Sequence, residues 1–250
     1  MKLLEIVEGD KIKCESCGWS WKISEGGDDL YICHKCGNDT NADTINESLK
    51  DLKFSESISD KHQKEIDYNR ESGLFKDFDI SKYKKMYPPS NDSKIVKEEL
   101  KTLSSLHEQK DFVEKYDRIF KSFKKYAEQR DHKIPKTQIK EVIKSAAGII
   151  YELKYHFNRP RPQQIAEHND MKIGGMDLES AKSPSYPSGH STQSKIVGEI
   201  LVEVTKDVGY RNIAEKISIS RNVGRVHFPS DSKLGEKLGE DLFEFLKNKR

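Results

Sequence analysis

No stretch of this chain is apolar enough to cross a bilayer, which takes roughly 18–20 consecutive apolar residues. The longest greasy run, Ser145 to Leu153, falls far short of that. The opening residues, Met1 to Lys13, mix apolar and charged positions and lack the apolar centre of a secretion signal. The reading is a soluble, cytoplasmic protein. Hydrophobic residues are also scarce, at 34%, so part of the chain is expected to be poorly packed. An excess of one charge is missing too: 44 basic residues stand against 42 acidic ones, for a formal net charge of +2. That balance argues against bulk nucleic-acid binding, which needs a concentrated basic face. At 250 residues there is room for one large domain or for a domain and a small module. There is no internal repeat.

Cysteine is absent after Cys36. The four that exist read Cys14-x-x-Cys17, a 15-residue gap, then Cys33-x-x-Cys36. Each pair brings two thiolates together across a tight turn, and Gly18 and Gly37 follow where such knuckles need a flexible backbone. Two knuckles complete a tetrahedral S4 site, so the spacing predicts zinc. A pair of disulfides would suit a small secreted domain, but the missing signal makes zinc the better reading. Four protein ligands leave no open position, so the metal is structural; His34 is redundant as a ligand.

Residues 1–42 therefore read as a zinc ribbon. Ile12, Trp19, Trp21, Ile23, Tyr31 and Ile32 supply its short strands, and Glu25 to Asp29 form a hairpin turn. Lys11, Lys13, Lys22 and Lys35 give it only a weak basic face, offset by that acidic turn. A protein partner is therefore favoured over nucleic acid. Residues 43–92 turn to Asn, Asp, Ser, Lys and Glu, which reads as a polar linker with one short helix around 45–54, ended by Pro88-Pro89. From 93 to 250 helical periodicity takes over. It predicts an all-α bundle of about six helices, at 93–107, 109–129, 136–157, 191–207, 210–225 and 231–248, with a long polar loop at 160–187.

Three of these helices carry an ionisable residue on the apolar stripe. Lys154 follows Ile139, Ile143, Ala146 and Ile150; Arg221 follows Tyr210, Ile213 and Ile217; His190 opens the face of Val197 and Val204. Taken singly, each reads as a salt bridge or a snorkelling chain. Connectivity joins them. The helix after His190 runs out for about 17 residues, turns at Gly209 and returns over a matching length at roughly 1.5 Å per residue. Arg221 and His227 thus come back beside His190. Lys154 ends one helix and Asp231 begins another at the same end of the bundle. Inward-facing cations need an anionic partner.

These residues carry a resemblance. Lys154-x6-Arg161-Pro162, Pro187-Ser188-Gly189-His190 and Ser220-Arg221-x5-His227-x3-Asp231 resemble the three-part signature of one superfamily. It unites type 2 phosphatidic acid phosphatases, class A non-specific acid phosphatases and vanadium haloperoxidases. The likeness covers about the last 100 residues closely, extends to the helices from Ser93, and includes neither ribbon nor linker. It implies a phosphatase needing no catalytic metal. His227 would attack phosphorus to give a phosphohistidine, with Asp231 orienting it, and His190 would serve as acid and then base. Lys154, Arg161, Arg221, the Ser188 hydroxyl and the Gly189 N–H would hold the phosphoryl oxygens, where charge gathers in flight. Arg159-Pro160 duplicates Arg161-Pro162, so Arg159 could help.

Two rivals stand beside this. One is a vanadate-dependent haloperoxidase, since vanadate mimics the phosphoryl transition state; the compact spacing favours the phosphatase. The other is an adaptor whose ribbon does the work and whose phosphatase fold is inert. An aspartate nucleophile at Asp77 or Asp79 has no apolar strand before it. His62, His107, His132, His156 and His168 read as solvated surface. The partner implied is a small phosphorylated substrate. The sequence names neither that substrate nor the oligomeric state.

Overall fold

The computed structural model describes residues 11–14, 17–22, 33, 35–36, 47–55, 57–169 and 171–249. The predicted turn at 25–29, Ile23, Tyr31, Ile32, His34 and Gly37 lie outside them.

The N-terminal module is small. Strands β1 (Lys11–Lys13) and β2 (Ser20–Lys22) pair antiparallel with Ile12 opposite Trp21. Between them Gly18 takes φ +70°, a region that costs glycine nothing, and its N–H closes the knuckle on the Cys14 carbonyl at 2.8 Å. The Cys36 carbonyl accepts a hydrogen bond from Ser90 N–H at 3.0 Å, which ties the second knuckle to the helical part.

The helical part contains α1 (Glu47–Lys50), α2 (Asp60–Ser72), α3 (Lys94–Ser105), α4 (Lys110–Tyr116), α5 (Ile119–Gln129), α6 (Lys136–Phe157), α7 (Pro162–His168), α8 (Gly189–Thr205), α9 (Gly209–Val223) and α10 (Pro229–Asn248). Among the described residues the only strands are those of the N-terminal module. The fold is the expected all-α bundle, and α6, α8, α9 and α10 fall close to where the periodicity puts them. Val142, Ile149 and Leu153 of α6 pack with Ile196 of α8 and Leu238 of α10. Phe123 of α5 packs with Val197 and Leu201 of α8 and Tyr210 and Ile217 of α9. Each such side chain, fully buried, contributes about 1.5–3 kcal/mol.

Several expectations are corrected. The helix expected at 109–129 is two helices, α4 and α5, parted at Asp117 and Arg118. The loop 160–187 contains α7, which starts at Pro162, a residue whose fixed φ suits a first turn. The linker expected over 43–92 is largely packed structure. Ser59 caps α2 through its side chain, and Ile66, Phe75 and Tyr83 are buried. Gly148 of α6 makes room for α2, because a Cβ there would lie 2.6 Å from the Glu65 carbonyl. His62 is accordingly interior, stacked on Tyr151 at 3.9 Å and hydrogen-bonded to Tyr155 Oη at 2.7 Å, not solvated. Burial lowers its pKa to about 4, so it is neutral. His132 is half-buried against Tyr210 Oη at 3.0 Å, while His107, His156 and His168 are exposed as expected.

Candidate active site

Helix α6 carries its apolar stripe one turn too far. After Ile150 and Leu153 comes Lys154, 3% exposed, and the helix stops at Asn158, whose left-handed φ of 49° turns the chain. The ammonium donates to the carbonyls of Pro184 and, at 3.2 Å, Ser185. Burial, with Arg161 nearby, pulls its pKa well below the ordinary lysine range.

Arg161 caps α7 and turns inward. Its Nε donates to Ser183 O at 2.8 Å, and Nη1 donates to Val226 O at 2.6 Å and meets His227 Nε2 at 3.0 Å. Burial draws its pKa down to about 9, so the guanidinium keeps its charge at neutral pH.

His227 lies in the turn between α9 and α10, 2% exposed, with Nδ1 3.1 Å from Asp231 Oδ2. Asp231, in the first turn of α10, is fully buried and also accepts from Phe228 N–H at 2.8 Å. Two neighbours fix the imidazole. A guanidinium offers only donors and a carboxylate only acceptors. Nδ1 therefore carries the hydrogen, and the Nε2 lone pair faces Arg161. Burial, then the surrounding cations, push the imidazolium form of His227 well out of range, so the ring is neutral.

His190 stands in the first turn of α8 and donates from Nε2 to the Asp117 carbonyl at 2.7 Å. Burial and Arg221 lower its pKa to about 3. Arg221, with no exposed surface, donates from Nη1 to Asp117 Oδ1 at 2.7 Å and from Nη2 to Ser180 Oγ at 2.9 Å. Burial alone would lift the Asp117 carboxyl, but the Ser180 hydroxyl and Arg221 hold it below its ordinary value. Asp117 is a site residue the sequence reading missed. Its signal was the helix break after Tyr116, hidden because Lys110 to Gln129 scans as one amphipathic run.

Ser188 caps α8: its Oγ accepts from Ser191 N–H at 3.3 Å, and its own N–H donates to Asp231 O at 3.0 Å. Gly189 follows. Together Lys154, Gly189, His190 and His227 line a cavity of about 120 Å³, walled otherwise by Ile150, Tyr151 and the small polar Ser180 and Ser183. The fold thus brings all eight predicted helical-domain residues to one end of the bundle. Arg221 and Ser188 sit just behind the cavity wall.

Arg159 is the exception. Its Nη1 donates to Asp231 Oδ1 at 2.6 Å and to Ser230 Oγ at 2.8 Å, its Nη2 approaches Glu99 at 3.5 Å, and the guanidinium lies 4.1 Å over the Phe228 ring. It is committed to the second oxygen of Asp231 and holds that carboxylate, whereas Arg161 reaches His227 Nε2.

The cysteines form a second cluster. The sulfurs of Cys14 and Cys36, and of Cys17 and Cys33, are 3.6 Å apart, all four lie within 4.8 Å, and none is disulfide-bonded. A tetrahedron of sulfurs about 2.3 Å from zinc has edges of about 3.8 Å. The cluster fits the ion.

Residues 141–239, from α6 to α10, match the model of the PAP2 superfamily, which includes phosphatases and vanadium haloperoxidases. Among solved structures the chain is similar to a bacterial vanadium-dependent iodoperoxidase, at 21% identity and a TM-score of 0.52. The match covers 66% of this chain and 51% of that one, so the chain spans about half its length. At this identity the likeness is one of fold. No match is found among curated proteins. Among the described residues no helix is long and apolar enough to cross a membrane.

Proposed function

We propose that the chain is a phosphoric ester hydrolase that works through a phosphohistidine on His227. The observation that carries this is the fixed tautomer of that ring: Asp231 holds the Nδ1 hydrogen, and the Nε2 lone pair accepts from Arg161 beside a cavity that Lys154 and His190 line, where an incoming phosphoryl group would draw that guanidinium onto its own oxygens. A phosphoryl group at that mouth meets a neutral, oriented nucleophile. Its equatorial oxygens fall to Lys154, Arg161, Arg221 and the Gly189 N–H at the start of α8, where anions bind. As the ester bond to the leaving oxygen breaks, His190 protonates that oxygen. In the free protein His190 is neutral, because burial and Arg221 oppose its charge. A bound phosphate offsets those cations, so His190 gains its proton when substrate arrives. It later takes a proton from the water that cleaves the phosphohistidine.

The test is hydrolysis of a chromogenic phosphomonoester by the purified protein. Activity should survive a strong chelator and fall with orthovanadate, which mimics the trigonal-bipyramidal transition state. Activity lost to chelation and restored by magnesium would overturn the mechanism. Halide oxidation by vanadate-loaded protein, with no ester hydrolysis, would move the chain to the haloperoxidase side of its superfamily.

The cysteine cluster is proposed to hold one structural zinc. Metal analysis of the reduced protein should find one ion per chain, and Cys14→Ser should release it. Because the cavity is built from α6 to α10, that variant should keep most of its hydrolase activity. Absence of zinc from the unaltered protein would end this reading.

A further inference from the structure

The α6 side of the cavity is a wall built on one helical face. Ala147, Ile150, Tyr151 and Lys154 follow at i, i+3, i+4 and i+7, so their side chains project together. The first three are uncharged, and the fourth is the ammonium proposed to hold a phosphoryl oxygen. Tyr151 stands three residues before Lys154, about one turn or roughly 5 Å along the axis. Its ring is held still. His62 of α2 stacks on it at 3.9 Å with the planes 19° apart, and His62 is itself buried and tied by Nδ1 to Tyr155 Oη at 2.7 Å. With His62 against one face, Tyr151 meets the cavity with its other face or its edge.

The rest of the lining decides what can lie beside that ring. The cavity, about 120 Å³, is well below the roughly 300–1,000 Å³ that enclose a drug-sized ligand. It takes the phosphoryl group and the nearest part of the alcohol. Among the described residues no carboxylate lines it. Its polar side chains outside the proposed machinery are already engaged. Ser180 Oγ donates to Asp117 at 2.7 Å and accepts from Arg221 at 2.9 Å, and Gln193 Nε2 donates to the Ile143 carbonyl at 2.9 Å. Ser183 Oγ lies 3.5 Å from Arg161 Nη2. An alcohol rich in hydroxyls would lose its water here and gain few partners. A flat ring loses little and gains a rigid aromatic surface, where stacked or edge-to-face pairs are favoured. We propose that the His62–Tyr151 stack is a specificity wall for the leaving group, and that the substrate is a phosphomonoester whose alcohol carries an aromatic ring close to phosphorus. The inference rests on the hydrolase reading above and names its substrate class.

Benzyl phosphate and cyclohexylmethyl phosphate test it on the full chain. Both release a primary alcohol of similar size, so the flat π face is the main difference, and apolar burial alone would favour the saturated ring. The unaltered protein should show a kcat/KM about fivefold higher for benzyl phosphate, the worth of one aromatic pair. Tyr151→Phe keeps the ring and should keep the preference. Tyr151→Leu keeps an apolar wall without the ring and should bring the ratio to about one. A ratio near one in the unaltered protein overturns the inference, whether or not the variants fold. A preference that persists in Tyr151→Leu overturns it as well, and so does indifference to both esters in a protein that cleaves the chromogenic one. Hydrolysis of none of the three overturns the hydrolase reading, and this inference with it.

Discussion

His227→Ala is expected to form no covalent phosphoenzyme with any substrate and to lose turnover by roughly four orders of magnitude or more. The reason is positional. On the proposed reading Nε2 of His227, held in a fixed ring 3.0 Å from Arg161, is the nucleophilic nitrogen, and His190, hydrogen-bonded to the Asp117 carbonyl, has another role. His190→Ala should behave differently. Substrates with good leaving groups, such as a nitrophenyl ester, should still phosphorylate it, and the phosphohistidine should persist because the base for water is gone. The measurement is labelling with phosphorus-labelled substrate, quenched in alkali to spare phosphohistidine, then peptide mapping. Label on any residue but His227, or full activity in His227→Ala, would overturn the assignment.

Arg159→Ala is expected to cost about 3–5 kcal/mol of folding stability, the usual penalty for stranding one member of a buried ion pair. Asp231 is fully buried and Arg159 holds its Oδ1 at 2.6 Å. Glu99 would lose its nearest cation and keep only its hydrogen bonds from Ser230. Burial already lifts its carboxyl above the ordinary range, with Arg159 as the main opposing influence, so removing Arg159 lifts it further. The loss should appear in the denaturant midpoint with an unchanged slope. Turnover should also fall, because Asp231 would no longer hold the His227 ring. A variant within about 1 kcal/mol of the unaltered protein would mean that Arg159 is replaceable as the support of Asp231.

The parts of the site that lie on regular helices were legible in the sequence. Lys154 and Arg221 betray themselves as charges on apolar stripes, and the matched lengths of α8 and α9 bring Arg221 and His227 back beside His190. Residues whose role depends on a tertiary partner were not. Arg159 and Arg161 sit in identical Arg-Pro pairs; spacing from Lys154 singles out Arg161, but nothing local says that Arg159 serves Asp231. Asp117 lies in a break between α4 and α5 that amphipathic periodicity runs straight across. The cover supplied by α2 was read as linker because its helix is polar overall. Only Ile66 and a few neighbours are buried, and their contact depends on Gly148 in a helix far along the chain.

The pairing of Asp117 with Arg221 bears on what happens after the chemistry. A cavity lined with uncompensated cations would hold inorganic phosphate as firmly as substrate, and the reaction would stall on its own product. Here a carboxylate already occupies one guanidinium at 2.7 Å and stands ready to reclaim it. On the proposed reading a phosphate that reaches Arg221 competes with that internal anion, on leaving as on entering. On the proposed chemistry, the protein gives up some grip on the ground state and gains a faster exit for the product.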